Sequence, residues 1–231
     1  ILILTRKDIG AIQHSLYSKI KNQFFEDKNR PFHTKPQFIN YGIDDFNFAL
    51  AKGHYFETEI KRQGIILYDS GEYRLERRRK LNFDEIKERA QNYYNEKTEW
   101  ANDFLMAYDG LYKNDRYKIA SFQLHQAMEN LLRVIPMVFI LYGYKDHDLD
   151  DLMTYCKRHT IEIFKVFPRD TPEEERLFKL LQRAYVESRY NPDFEITKED
   201  LDALLPKVEH LRDIVERVCT AQIDYYSQQT A

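Results

Sequence analysis

From Asn82 to the end of the chain, apolar residues recur at steps of three and four with almost no interruption. This pattern limits the fold more than any other feature of the sequence. The clearest stretch is the last, where Leu201, Leu204, Val208, Leu211, Val215 and Val218 alternate those steps and predict the seam of a bundle helix. Gly and Pro number only 7 each in 231 residues. That scarcity favours long helices and argues against propellers, collagen-like repeats and many-stranded sandwiches.

The helices can be placed by their ends. Asn82 with Glu85 predicts a cap, and Phe83, Ile86, Ala90, Tyr93, Trp100, Phe104 and Tyr108 continue a helix to about Lys113. A second runs from Asp115 to Tyr142, apolar nearly all round in its latter half, with Pro136 expected to kink it. A short helix follows His147-Asp148-Leu149, where Asp148 is the better cap. A fourth runs from Thr171 to Tyr190 with Pro172 in its first turn, and the last starts at Thr197 with Asp200 closing the cap.

Residues 1–81 mix periods. Ile1–Leu4, Pro36–Tyr41 and Ile65–Tyr68 read as strands, and Ile9, Ile12, Leu16, Ile20 and Phe24 form a helical stripe. Asp44–Lys52 and Tyr55–Arg62 read as short helices, with Gly53 and Gly64 as turn glycines. Charge divides at the same place. Residues 1–81 hold 15 basic and 10 acidic side chains, net +5, whereas 82–231 hold 20 and 28, net −8. Arg77-Arg78-Arg79-Lys80 supplies most of the basic excess and reads as a solvated linker before a boundary at Asn82. The whole reads as α+β, mostly α: a small α/β part over 1–81, then an up-and-down helical bundle over 82–231. The opening Ile1-Leu2-Ile3-Leu4, without an initiator Met, looks like a strand entered part-way and suggests that the parent protein continues upstream.

Other classes are excluded by what the chain lacks. Cys156 and Cys219 are too few for a disulfide framework or a four-thiolate zinc site and read as buried hydrophobes in a cytoplasmic protein. The longest apolar stretch, Leu131 to Tyr144, contains Arg133 and Pro136 and is shorter than the roughly 20 residues of a membrane span. Walker, G-x-G-x-x-G, G-x-S-x-G and H-E-x-x-H motifs are absent.

One pattern points to chemistry. Ser121, His125, Glu129 and Arg133 step by four along the second helix and form a polar stripe. It reads either as an ion-pair ladder on the helix surface or as the wall of a polar pocket. Metal ligation by His125 and Glu129 has no third ligand at a suitable spacing. Near the end of the fourth helix, Tyr185 and Arg189 share a face, with Tyr190 beside them. Arg189 suits the helix C-terminus, and the group also suits a phosphate and a stacked base.

Ala120-Ser121-Phe122-Gln123-Leu124-His125-Gln126-Ala127-Met128-Glu129 resembles the A-x-F-x-L-H-Q-A-x-E signature of HEPN domains. His147-Asp148-Leu149-Asp150-Asp151-Leu152 looks like the family's H-D-L-x-x-L, and Ala184-Tyr185-Val186-Glu187-Ser188-Arg189-Tyr190 like its A-Y-x-x-A/S-R-Y. The resemblance implies a nucleotide-binding bundle, with His125, Glu129, Arg133, His147, Tyr185, Arg189 and Tyr190 as the nucleotide-binding candidates. It assigns no catalytic or metal residue, and it implies a homodimer formed through the bundle. Residues 1–81 are similar to the end of a polymerase-β-like nucleotidyltransferase domain fused to HEPN in bacteria, on Lys52-Gly53-His54-Tyr55-Phe56 and Gly64-Ile65-Ile66-Leu67-Tyr68-Asp69.

That comparison implies a toxin–antitoxin-like or resistance-like setting and a Mg-nucleotide for the full-length protein. The G-S turn and D-x-D carboxylates that would hold it fall before Ile1, and Gln37 stands near the third carboxylate, so this chain is expected not to transfer nucleotides. HEPN ribonucleases carry R-x(4–6)-H, whereas Arg189 is followed by Tyr190, Asn191, Pro192, Asp193, Phe194, Glu195 and Ile196, with no His. RNA cleavage by that route is not expected. The alternatives are an acceptor-binding half of a full-length transferase, a ribonuclease toxin, and a structural partner-binding bundle. A pI near 6.2 disfavours long nucleic-acid tracts.

Overall fold

The computed structural model describes residues 1–6, 15–17, 19–20, 23 and 38–229. The chain divides into two compact units, Ile1–Leu81 and Asn82–Ala231.

In the first unit, strands β1 (Leu2–Thr5) and β2 (Ile39–Gly42) pair in parallel, with Leu2 opposite Ile39 and Thr5 opposite Gly42. Strand β2 runs directly into α1 (Ile43–Ala51), which buries Ile43, Phe46, Ala49 and Leu50 at helical spacing. Helix α2 (Tyr55–Gln63) returns Glu57, almost fully buried, to accept a hydrogen bond from the Tyr41 hydroxyl at 2.9 Å. Burial and that carboxylate push the Tyr41 phenol up to about 12. Gly53 links the two helices at φ +68°, and a Cβ there would lie 2.9 Å from the Arg79 carbonyl oxygen. Both constraints require glycine.

Two expectations for this unit need correction. Ile65–Tyr68 is not a strand. No strand among the described residues pairs with their backbone, and all four side chains stand in solvent, from 74% to 86% exposed. The helical stripe also turns differently: residues 15–17, 19–20 and 23 are helical, but Leu16 and Ile20 are exposed while Tyr17 is buried and stacks on Phe38. Ile9, Ile12, Phe24, Pro36 and Gln37 lie outside the described residues. Further on, Arg77–Lys80 are all exposed.

The second unit is a helical bundle. Helix α3 (Phe83–Tyr112) opens on a complete capping box between Asn82 and Glu85. Helix α4 (Tyr117–Ile140) packs against α3, α5 (Leu149–Cys156), α7 (Pro172–Tyr190) and α8 (Lys198–Gln228), so it is buried on nearly all sides. A short helix that periodicity does not announce, α6 (Ile163–Val166), lies against α8. Thr171 with Glu174, and Thr197 with Asp200, close capping boxes on α7 and α8. Along α8, Leu201, Leu204, Val208, Leu211 and Val215 are fully buried, as their spacing predicts.

Pro136 sits inside α4 without ending it. Having no N–H, it leaves the Leu132 carbonyl without its helical donor. The Cys156 thiol of α5 supplies one, with Sγ 3.1 Å from that oxygen. Burial raises the pKa of both Cys156 and Cys219, which keeps them protonated, as expected of buried hydrophobic thiols. The end of α4 is closed by the Tyr226 hydroxyl, 3.1 Å from the carbonyls of Val138 and Phe139.

Candidate functional site

Helix α4 sets His125, Glu129 and Arg133 one turn apart, and the stripe lies within the bundle rather than on its surface. Ser121 does not join it, because its hydroxyl donates to the Lys118 carbonyl at 2.8 Å. Glu129 is 2% exposed and forms the hub. Its Oε1 accepts from Arg133 Nη1 at 2.9 Å. Its Oε2 accepts from His147 Nδ1 at 3.0 Å and from Gln126 Nε2 at 3.1 Å, and lies 3.5 Å from His125 Nε2.

Burial alone would raise the Glu129 pKa. The contacts from His125 and His147 and the charges of Arg133 and His147 outweigh it, holding the carboxyl below the usual range. Glu129 is therefore an ionised, acceptor-only group at neutral pH. Because a carboxylate cannot donate, His147 Nδ1 carries the proton it shares. By the same argument His125 Nδ1 donates to the Leu181 carbonyl of α7 at 3.1 Å, which fixes its ring between two helices.

His147 reaches the hub from the connection between α4 and α5, and that connection is held at several points. Asp148 caps α5 by accepting from the amides of Asp150 and Asp151. Arg133 Nη2 donates to the Asp146 carbonyl, and the Leu149 amide donates to Gln182 Oε1 of α7 at 2.8 Å. Asp148 is thus the cap, and His147 is left to point at Glu129.

Helix α7 contributes an aromatic platform. The Tyr185 ring stacks against His147 at 4.4 Å between centroids and against His125 at 5.2 Å. The Arg189 guanidinium lies 4.7 Å from the Tyr185 ring centre, 4.9 Å from Phe122 and 5.1 Å from Tyr190. Arg189 Nε and Nη2 also donate to the Tyr185 carbonyl in the last turn, where a cation opposes the helix dipole. Among the described residues no carboxylate pairs with Arg189, and Tyr190 beside it is 73% exposed.

The structure thus brings His125, Glu129, Arg133, His147, Tyr185, Arg189 and Tyr190 into one linked cluster. Gln126 and Phe122 complete it, although spacing by four passes over both. Both stand inside the Ala120–Glu129 motif, which is the sequence signal that could have found them. Lys118 of α4 donates to the carbonyls of Asn191 and Pro192 just after α7, tying the end of that helix to α4. Among the described residues no group of three His, Cys, Asp or Glu side chains is arranged to hold a metal ion, and no helix is long and apolar enough to cross a membrane. Chemically the cluster offers a buried anion, a half-exposed imidazole, and a guanidinium among aromatic faces.

No curated protein matches the chain. The family model for the HEPN domain matches residues 94–218, more than half of the chain and the part that contains this cluster, and the protein accordingly belongs to the HEPN domain family.

Proposed function

We propose that the bundle is a nucleotide-binding module whose ligand rests against His147, Tyr185, Arg189 and Tyr190, with His125, Glu129 and Arg133 as the support beneath. One observation carries this reading: Arg189 is exposed, has no carboxylate partner among the described residues, and lies within 5.1 Å of three aromatic rings. A guanidinium so placed suits a phosphate, and exposed aromatic faces suit a base. Glu129 is engaged within the protein by Arg133 and His147.

A ligand that binds only the folded state raises the melting temperature by mass action. Millimolar nucleotide should raise it in the native protein and leave Arg189→Ala unchanged. An equal rise in both would show that binding lies elsewhere. Homodimerisation through the bundle is part of the proposal and fits the exposed Trp100 and Met106 on α3. Sedimentation as a monomer at tens of micromolar would refute it.

We further propose that residues 1–81 are the end of a nucleotidyltransferase-like domain, in a toxin–antitoxin-like or resistance-like setting. The parallel strand pair of this unit supports this. Transfer of radiolabel from an α-labelled nucleotide by the natural full-length protein, with Mg²⁺, would test it; no transfer to any acceptor would count against it.

A further inference from the structure

The basic run Arg77-Arg78-Arg79-Lys80 is exposed at every residue, yet the backbone that carries it is fixed. Residues 73–82 contain no helix or turn, and α1 and α2 hold them by hydrogen bonds. Asn47 of α1 grips the chain much as a neighbouring strand would. Its Nδ2 donates to the Arg74 carbonyl at 3.1 Å, and its Oδ1 accepts from the Glu76 amide at 2.8 Å. Lys61 of α2 donates to the carbonyl of Leu75, at 3.1 Å, and to that of Glu76. The Arg79 amide donates to the Leu50 carbonyl near the end of α1 at 3.1 Å, and the Arg79 carbonyl passes too close to Gly53 for a Cβ to fit there. A solvated linker needs no such anchors, because water satisfies its backbone.

We infer that residues 74–80 form a docking strap for the phosphate backbone of a short single-stranded nucleic acid. Arg74, Arg77, Arg78, Arg79 and Lys80 are basic and only Glu76 is acidic, which leaves the strap at net +4. Arg74, Arg77, Arg78 and Lys80 form no ion pair with any described residue, so their charge is available. Cations this dense repel one another until an anion covers them. Fixing their backbone beforehand lowers the ordering cost of binding. From Arg74 to Lys80 the strap spans at most about 20 Å, the reach of a few nucleotides. The net charge of −3 on the whole chain likewise suits a few phosphates held at one place rather than a long tract. The choice of a single strand rests on the aromatic side chains that precede the run. Tyr73 is 42% exposed and Tyr68 is 85% exposed. Unstacked bases offer their faces to such rings, whereas a duplex keeps its base faces covered.

Fluorescence anisotropy of a labelled, short single-stranded oligouridylate tests the inference on the full chain. Binding should weaken steeply with added salt. Arg77→Gln, Arg78→Gln and Lys80→Gln, combined, should weaken it roughly tenfold or more and lower the slope of log K against log salt by about 2, at about 0.7 per phosphate contact. Unchanged affinity in that variant would overturn the proposal. So would a protein that ignores the oligonucleotide and instead sediments with phosphatidylserine vesicles, which would assign the strap to a membrane. Equal affinity for a duplex of the same length would overturn the choice of a single strand. Arg189→Ala should bind as the native protein does, and loss of binding there would move the oligonucleotide to the bundle. Asn47→Ala keeps every charge but removes both Asn47 anchors, so it should weaken binding several-fold at an unchanged salt slope. Unchanged affinity would show that the run acts as a flexible chain and overturn the strap. If Asn47→Ala does not fold by circular dichroism, the charge variant still decides, because its three positions are all exposed.

Discussion

Replacing Glu129 with Gln keeps the side-chain volume and removes the charge on which the site is built. Two charge-assisted hydrogen bonds are at stake, from Arg133 Nη1 at 2.9 Å and His147 Nδ1 at 3.0 Å. Each is worth about 1.5–3 kcal/mol net. In Glu129→Gln one carboxylate oxygen becomes an amide NH2, itself a donor, which has to face one of those two donors. Full loss of a buried partner costs about 3–5 kcal/mol. The Arg133 and His147 side chains are 20% and 49% exposed and regain some hydration, which lowers the expected loss to about 2–4 kcal/mol. With a urea slope of about 2 kcal/mol/M, the midpoint should fall by about 1–2 M. The pH dependence gives a second signature. A carboxyl whose folded pKa lies below its unfolded value of about 4.3 stabilises above that pH. The contribution is lost as pH falls through the lower folded value. Glu129→Gln should therefore flatten part of the acid limb of the stability profile. A loss under about 0.5 kcal/mol with an unchanged acid limb would refute the hub assignment.

Three other outcomes follow from local geometry. Cys156→Ala should destabilise the bundle by about 1–2 kcal/mol by orphaning the Leu132 carbonyl, and by clearly less in a Pro136→Ala background, where the helical amide returns; a double-mutant cycle in urea reads the coupling. Asp115→Gly should stabilise by about 0.5–1 kcal/mol, because Asp115 holds φ +56° at the end of α3, and a fall in melting temperature would contradict this. Ile66→Asp should leave stability within about 0.5 kcal/mol, since that side chain is 74% exposed, and a larger loss by chemical denaturation would show that the segment packs.

How far the sequence reveals these features depends on their range. The α8 seam, the capping boxes and the four-residue spacing of His125, Glu129 and Arg133 are local, and they are legible because helix geometry alone determines them. Spacing tells which residues share a face but not how deep that face lies, so the stripe reads equally as a surface ladder or a pocket wall until α7 and the His147 connection are in place. Ser121 fits the spacing yet bonds to its own helix. Ile65–Tyr68 has the composition of a strand, but strand pairing is non-local and composition cannot supply a partner. Leu16 and Tyr17 are neighbours, and a shift of one residue in the helix face decides which is buried. The thiol bond from Cys156 to Leu132 joins residues 24 apart and follows from packing alone.

Nucleotide binding at the α4–α7 face is the central claim, and hydrogen exchange followed by mass spectrometry tests it most directly. With saturating nucleotide, the account predicts slowed exchange concentrated in peptides covering 143–149 and 182–192, with little change elsewhere in the bundle. Unchanged exchange in both peptides, or protection confined to residues 1–81, would contradict it.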